Sequence, residues 1–113
     1  MIVIDVNGRT YQAALADTEA ARAFAQLLPM TLNLNELNGN EKYAGLDAPL
    51  PSAPERVGQI ETGDLMLFGD DCVVLFYDRF STGYTYTRLG HIDDPTGLAE
   101  ALGAGDVQVT FSR

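Results

Sequence analysis

Arginine and tyrosine side chains in one short stretch are the residues of this sequence best suited to chemistry. Arg88 lies within Tyr84–Ile92, and the two-residue period of a strand places it on the same face as Tyr84 and Tyr86. A guanidinium among tyrosine rings can bind a carbonyl or carboxylate group, with the rings as apolar walls. Arg79, beside the preceding loop, is the second candidate for a catalytic cation. The alternative for each arginine is a salt bridge at the rim with one of the many carboxylates.

Other catalytic or metal-binding residue types are few. His91 is the only histidine and Cys72 the only cysteine, which excludes a multi-histidine zinc site and an internal disulfide. Cys72 lies in an apolar run and is predicted to be a small core residue. No nucleophile-elbow motif supplies a serine partner for His91, and no glycine-rich phosphate loop is present. We therefore expect no metal and no cofactor.

The charge and composition limit the class of partner. With a formal net charge of −9 and only seven Lys and Arg, the chain repels phosphate backbones and anionic lipids, so we expect neither nucleic acid nor a membrane as partner. A length of 113 residues with 46% hydrophobic content predicts one domain over residues 1–113. No membrane span or signal peptide is recognisable, so a cytoplasmic monomer or weak homodimer is the expectation.

Three consecutive strands are predicted around the candidate arginines: Asp64–Phe68, Cys72–Asp78 and Tyr84–Ile92. The middle strand is apolar almost throughout, which is typical of a strand buried on both faces. At the N-terminus, Asn7-Gly8 predicts a hairpin turn. The remaining predicted strands are Met1–Val6, Thr10–Leu15, Met30–Leu34, Val57–Glu61 and Asp106–Ser112.

Two helices are predicted from capping signals and periodicity. The first is ADTEAARAFAQLLP, capped by Asp17 or Thr18, with an apolar stripe of Ala20, Ala21, Phe24, Leu27 and Leu28. The second is DDPTGLAEALG, capped by Asp94 and ended by Gly103. Between the helices, Asn35–Arg56 is rich in Pro, Gly and Asn and is predicted to be a long irregular loop.

Strands outnumber helices strongly, so the fold class is mainly β. Closure of about eight strands into a barrel removes exposed sheet edges, and the two short helices would cap the open ends. The residues predicted to lie inside are Phe24, Leu65, Val74, Phe76, Val107 and Val109.

Three segments resemble the bacterial cyclophilin-like family of small barrels: FAQLLPMTLNLNELNGNEKYAGL, the run from Gly63 to Gly103, and GDVQVTF. The family is related in fold to the peptidyl-prolyl isomerase cyclophilins, so the resemblance implies a closed cyclophilin-like β-barrel. The run Val74-Leu75-Phe76-Tyr77 is similar to the strand that carries the aromatic groove residues of those isomerases.

The same comparison shows departures from the isomerases. Cyclophilins carry a catalytic arginine in a Phe-His-Arg-Val strand, and the comparable stretch here, residues 31–35, reads Thr-Leu-Asn-Leu-Asn. The cyclophilin pocket histidine falls near Tyr86, and the Gln-Gly-Gly motif is absent. Since that arginine is understood to stabilise the twisted amide, the resemblance implies the fold more strongly than the activity.

The first functional hypothesis is therefore a binding module. An outer groove, walled by Phe76, Tyr84 and Tyr86 and covered by the Asn35–Arg56 loop, would hold an extended peptide or a small-molecule ligand. The predicted ligand-binding residues are Phe76, Tyr84, Tyr86, Arg88 and His91.

Two alternatives remain open. The first is an active prolyl isomerase in which Arg56, Arg79 or Arg88 supplies a relocated arginine. The second is a small metabolic enzyme or accessory subunit acting on a carbonyl compound.

Overall fold

The structure is a computed structural model that describes residues 1–113 as eleven strands and two helices. Their order along the chain is β1 (Ile2–Val6), β2 (Arg9–Leu15), α1 (Glu19–Gln26), β3 (Met30–Leu37), β4 (Glu41–Gly45), β5 (Glu55–Arg56), β6 (Gln59–Ile60), β7 (Asp64–Phe68), β8 (Cys72–Phe76), β9 (Phe80–Ser81), β10 (Thr85–Ile92), α2 (Leu98–Leu102) and β11 (Val107–Ser112). Neither helix has the length and apolar character needed to cross a membrane.

Eight antiparallel strands form a closed barrel, which confirms the predicted fold. Their order is β2-β1-β11-β3-β4-β8-β7-β10, and a further pairing of β2 with β10 closes the circle. The short strand β5 extends the sheet beside β10, and β6 and β9 form a separate two-stranded ribbon. Closure leaves the eight barrel strands with a neighbour on each side, as expected for a mainly β domain of this size.

The barrel closes at a bulge in β10. The pairing of β10 with β7 shifts register between Arg88 and Gly90. A Cβ on Gly90 would lie 2.6 Å from the carbonyl oxygen of Ala14, so only glycine allows β2 to approach this closely. Thr18 anchors α1 at the same place, because its hydroxyl donates to the Arg88 carbonyl at 2.8 Å and accepts from the Ala21 N–H at 3.0 Å. The predicted cap at Thr18 is therefore confirmed.

The two helices contribute apolar side chains to the main core. Phe24 of α1 is fully buried and meets Phe111 edge to face, with ring centroids 5.5 Å apart. Leu27 is 46% exposed, so its place in the predicted apolar stripe is wrong. Asp94 does not cap α2, which starts later: Gly97 is its N-cap, and Asp94 accepts instead from the N–H and hydroxyl of Thr96. Gly103 ends α2 as predicted, with a φ of 78°.

The buried apolar residues form two clusters, one on each side of the sheet wall. The larger cluster fills the barrel and includes Val73 and Leu75 of β8. The smaller one lies on the outer side and consists of Ile60, Met66, Val74, Phe76 and Tyr86. The prediction that β8 is buried on both faces is confirmed. Val74 and Phe76 are buried as predicted, but outside the barrel rather than inside it, because they alternate with the inward residues of β8.

The prediction of an irregular loop over Asn35–Arg56 is wrong for its first half. Asn38 and Gly39 have φ values of 58° and 69°, in the left-handed region, and with Asn40 they form the three-residue turn between the paired residues Leu37 and Glu41. They join β3 to β4, and β4 pairs with β8 inside the barrel wall. Only residues 46–54 are irregular, and the buried Leu50 holds them against the core.

The region between β5 and β10 also differs from the sequence prediction. The strand predicted at Val57–Glu61 is reduced to β6, and β9 begins at Phe80, between the predicted strands Cys72–Asp78 and Tyr84–Ile92. Gln59 pairs with Ser81 and Ile60 with Phe80. Ile60 and Phe80 pack on the outer apolar cluster, so this small ribbon covers one end of it.

Candidate functional site

A cavity of about 570 Å³ opens on the outer face of the barrel, and we call it the aromatic pocket. The strands below it are β4, β8, β7 and β10, and its lips are the β3–β4 turn and the segment around β9. Its lining consists of Leu37, Asn38, Asn40, Glu41, Tyr43, Phe68, Cys72, Val74, Phe80, Ser81, Thr82, Gly83, Tyr84 and Tyr86. The volume lies within the range typical of small-molecule sites.

Aromatic rings form a continuous chain along the pocket. Tyr84 meets Phe68 with ring centroids 6.0 Å apart, and Phe68 meets Tyr86 at 5.7 Å. Tyr86 then meets Phe76 at 5.5 Å, and Phe76 meets Phe80 at 5.7 Å. Three of these contacts involve Phe76 or Tyr86, which are buried and fix the position of the more exposed rings.

Several large apolar side chains of the pocket remain open to solvent. Phe68 is 45% exposed, Tyr84 66% and Leu37 41%, and these three account for most of the strongly exposed large hydrophobic residues of the chain. Exposed apolar residues scattered singly are ordinary on protein surfaces, but a contiguous patch around a cavity marks an interaction site.

Glu41 is the only charged side chain in the pocket lining. It begins β4, whose residues alternate between the two faces of the wall, so Glu41 and Tyr43 face outward while Lys42 and Ala44 face inward. None of the ion pairs in the structure involves Glu41. Partial burial, reinforced by the nearby Glu36 carboxylate, raises the pKa of Glu41 above its ordinary value of 4.5.

Two other ionisable groups of the pocket are held in their neutral forms. Burial raises the pKa of the Tyr86 phenol, and the Glu41 carboxylate adds to this. Burial also raises the pKa of the Cys72 thiol, with contributions from the carboxylates of Asp71 and Glu41. Cys72, predicted to be a core residue, is in fact partly exposed, and its raised pKa opposes formation of the reactive thiolate.

Both candidate arginines lie outside the pocket lining and form ion pairs. Arg88 Nε is 2.8 Å from Glu55 Oε1, and Arg79 Nε is 2.9 Å from Glu61 Oε1. The Arg88 side chain is 42% exposed and that of Arg79 69%. Arg56 is exposed on β5, opposite Thr85. No arginine therefore lies over the aromatic floor.

His91 lies on the outer face of β10 and is bonded to Asp64. Its Nδ1 is 2.8 Å from Asp64 Oδ1, and since a carboxylate only accepts, Nδ1 donates. The other oxygen of Asp64 accepts from the Glu61 N–H at 2.9 Å. No hydrogen bond joins His91 to a hydroxyl or thiol, and no group of three or more His, Cys, Asp and Glu is placed to hold a metal ion.

A polar cluster at one end of the barrel has no counterpart in the sequence predictions. The fully buried Lys42 Nζ donates to Glu36 Oε1 at 3.1 Å and to the carbonyl oxygens of Gly103 and Gly105. The Tyr77 hydroxyl donates to the same Glu36 oxygen at 2.6 Å. Burial and the bond to Glu36 raise the pKa of Tyr77 to about 12. All three N–H donors of Lys42 therefore have partners. These bonds link β4, which carries Lys42, to β3 through Glu36 and to the α2–β11 connection through Gly103 and Gly105.

Of the residues predicted to bind ligand, the structure brings Tyr84 and Tyr86 to the pocket surface, with Phe76 buried beneath it. Arg88 and His91 are not in the lining. Sequence reasoning missed Glu41, Tyr43, Phe68 and Phe80. The Asn38-Gly39 dipeptide was the signal that could have placed Glu41 and Tyr43 on a strand.

The cyclophilin-like family model matches residues 4–112, nearly the whole sequence. The chain belongs to the cyclophilin-like family. This confirms the resemblance drawn from the sequence. A search of curated proteins finds no match to this cyclophilin-like chain.

Two solved structures share the cyclophilin-like fold. McbB, solved in complex with tryptophan, aligns with a TM-score of 0.71 and 18% identity over 100% of this chain and 44% of McbB. The hypothetical protein AF2241 from Archaeoglobus fulgidus, a solution structure, aligns with a TM-score of 0.57 and 18% identity over 99% of this chain and 92% of AF2241. This chain thus spans less than half the length of McbB, and at such identity the likeness shows the fold alone.

Proposed function

We propose that this cyclophilin-like domain is a binding module that takes a small ligand, or a short extended peptide, in the aromatic pocket. The observation that carries the proposal is the open chain of rings around a cavity of about 570 Å³. Buried partners hold the rings in place, so little side-chain entropy would be lost on binding.

The chemistry of the lining favours binding over isomerisation. Cyclophilin-type catalysis of proline isomerisation relies on a cationic donor that stabilises the twisting amide, and the pocket lining contains no Lys, Arg or His. Apolar walls bind ground state and transition state nearly alike, and such uniform binding does not raise the rate of the chemical step.

The barrel fold itself is compatible with ligand binding. McbB, whose fold is similar, was solved with tryptophan bound. This supports a small molecule as one class of ligand for the present chain.

An NMR screen of fragment-sized aromatic compounds against the ¹⁵N-labelled protein tests the proposal. We expect hits to shift amides of β4, β8 and the Phe80–Tyr86 segment, and Tyr84→Ala to weaken these hits. Leu27→Ala, which removes a similarly exposed apolar side chain from the end of α1, is the matched control and should leave them unchanged. Hits that map elsewhere, or that are indifferent to Tyr84→Ala, would overturn the proposal.

A further inference from the structure

We propose that the ligand of the aromatic pocket is a small organic cation, a protonated amine or quaternary ammonium, with Glu41 as its counter-ion. This inference rests on the proposed function and specifies the chemical class that the pocket selects.

The pocket lining carries a single charge, and it is negative. Glu41 is the only charged residue in the lining, and no Lys or Arg of the chain neutralises it. The nearest basic residue in sequence, Lys42, points into the barrel and is bonded to Glu36. Arg79 and Arg88 are paired with Glu61 and Glu55 outside the lining. The carboxylate therefore faces the cavity without a cationic partner from the protein.

An aromatic surface shares the cavity with that carboxylate. Tyr43, Phe68, Phe80, Tyr84 and Tyr86 all line the same cavity as Glu41. The face of an aromatic ring carries negative electrostatic potential, which attracts a cation and repels an anion. A cation is thus favoured by the rings and by the carboxylate together, whereas a neutral ligand of the same shape gains only the apolar contact.

The β3–β4 lip also presents a hydrogen-bond acceptor to the cavity. Asn40 Oδ1 is the one buried side-chain polar atom in the structure without a hydrogen-bond partner, and Asn40 lines the pocket next to Glu41. Asn40 Oδ1 is enclosed within the protein, so the acceptor that this lip offers to a ligand is the Glu41 carboxylate. A protonated amine supplies N–H donors and charge at once, whereas a quaternary ammonium supplies the charge and apolar contact alone.

The raised pKa of Glu41 is consistent with a partly buried carboxylate that has no cation beside it. Burial disfavours its charged form when no cation is near. A bound ammonium would reverse the effect by favouring the carboxylate, so protonation of Glu41 and cation binding compete for the same site.

The size of the cavity indicates that the ligand is a small molecule rather than the surface of another protein. A volume of about 570 Å³ accommodates one aromatic ring with a short aminoalkyl chain. The lips formed by Leu37–Asn40 on one side and Phe80–Tyr84 on the other bound it on two sides.

Isothermal titration with ligands that share a phenyl ring and a short alkyl chain tests the charge preference. Phenethylamine is the cation, 2-phenylethanol the neutral analogue and 3-phenylpropanoate the anion. We expect phenethylamine to bind about tenfold more tightly than 2-phenylethanol, and 3-phenylpropanoate to bind most weakly. Glu41→Gln should remove most of the preference for the amine, while Glu100→Gln, an exposed carboxylate on α2, should leave it unchanged.

The outcomes separate the cation inference from the binding function. Equal affinities for the amine and the alcohol, with both weakened by Tyr84→Ala, would overturn the cation inference while the pocket remained a binding site. A tenfold preference for the amine over the alcohol that survives Glu41→Gln would also overturn it. Absence of binding by all three compounds would count against the inference and the proposed function together. Tighter binding of a trilysine peptide than of phenethylamine would overturn the assignment to a small molecule.

Discussion

Glu41 lies directly opposite Phe76 in the antiparallel pairing of β4 with β8. The carboxylate thus stands beside the buried ring that contacts both Tyr86 and Phe80. Lys42, the next residue, points to the opposite face and is fully buried with three bonded partners. Strand β4 therefore places the Lys42 ammonium in the interior, where it has bonded partners, and the Glu41 carboxylate in the aromatic pocket, where it has no ion-pair partner.

Cation binding should weaken as the pH falls. The pKa of Glu41 is raised above 4.5, so its charge is complete well above that raised value and is lost as the pH falls through it. Benzyltrimethylammonium keeps its charge at every pH, so its affinity between pH 4 and pH 8 reports protein groups alone. The other ionisable side chains around Glu41 are Glu36, Tyr43, Cys72, Tyr77, Tyr84 and Tyr86.

Glu41→Gln is the control for this pH profile. Because Tyr86 and Cys72 have raised pKa values and stay neutral at these pH values, the variant should bind benzyltrimethylammonium with a much flatter pH dependence. A profile identical to that of the wild type would assign the titration to another group.

Proline isomerisation by this domain should be absent or far slower than that of a true cyclophilin. The uncatalysed barrier is about 20 kcal/mol, and the pocket offers no cationic donor to lower it. A protease-coupled assay with a proline peptide measures the rate. Robust turnover that survives combined alanine substitution of Arg56, Arg79 and Arg88 would contradict this explanation, and Arg22→Ala on α1 is the control.

Lys42→Met should destabilise the fold by about 3 kcal/mol, because it removes a fully buried ammonium that bonds to Glu36 and to the carbonyl oxygens of Gly103 and Gly105. Urea unfolding measures the loss. Arg22→Met, which breaks the exposed pair with Asp17, should cost less than about 1 kcal/mol. Similar urea midpoints for the two variants would show that the buried cluster contributes little.

Phe24→Ala should cost about 3–5 kcal/mol of unfolding free energy, because a fully buried ring is lost and a cavity remains beside Phe111. Leu27→Ala, at the end of the same helix and 46% exposed, is the matched control and should change stability far less. An unchanged urea midpoint for Phe24→Ala would mean that the helix packs differently from the structure.

The barrel was predictable because periodicity and capping are local. Alternation defined β7, β8 and β10, and the apolar run of β8 indicated burial on both faces. The same alternation could not say which face of β8 was interior, because both faces are apolar. Phe76 was therefore assigned both to the core and to the groove wall, and only the pairing of strands resolves its place.

The pocket was harder to predict because it depends on distant pairings. Glu41 lies in a segment whose Pro and Gly content suggested a loop, although Asn38-Gly39 carried the turn signal. Phe68 meets Tyr84 only because β7 and β10 are neighbours in the barrel. Arg88 shares a strand face with Tyr86, yet Glu55 of β5 pairs with it at the edge, and no local pattern indicates that contact.

NMR mapping of benzyltrimethylammonium onto the ¹⁵N-labelled domain decides whether the aromatic pocket is the binding site. We predict that the shifted amides cluster at residues 37–43, 72–74 and 80–86, and that intermolecular contacts join the trimethylammonium protons to the rings of Phe68, Tyr84 and Tyr86. Shifts centred instead on Arg79, Arg88 or His91, or no shifts at millimolar ligand, would contradict it.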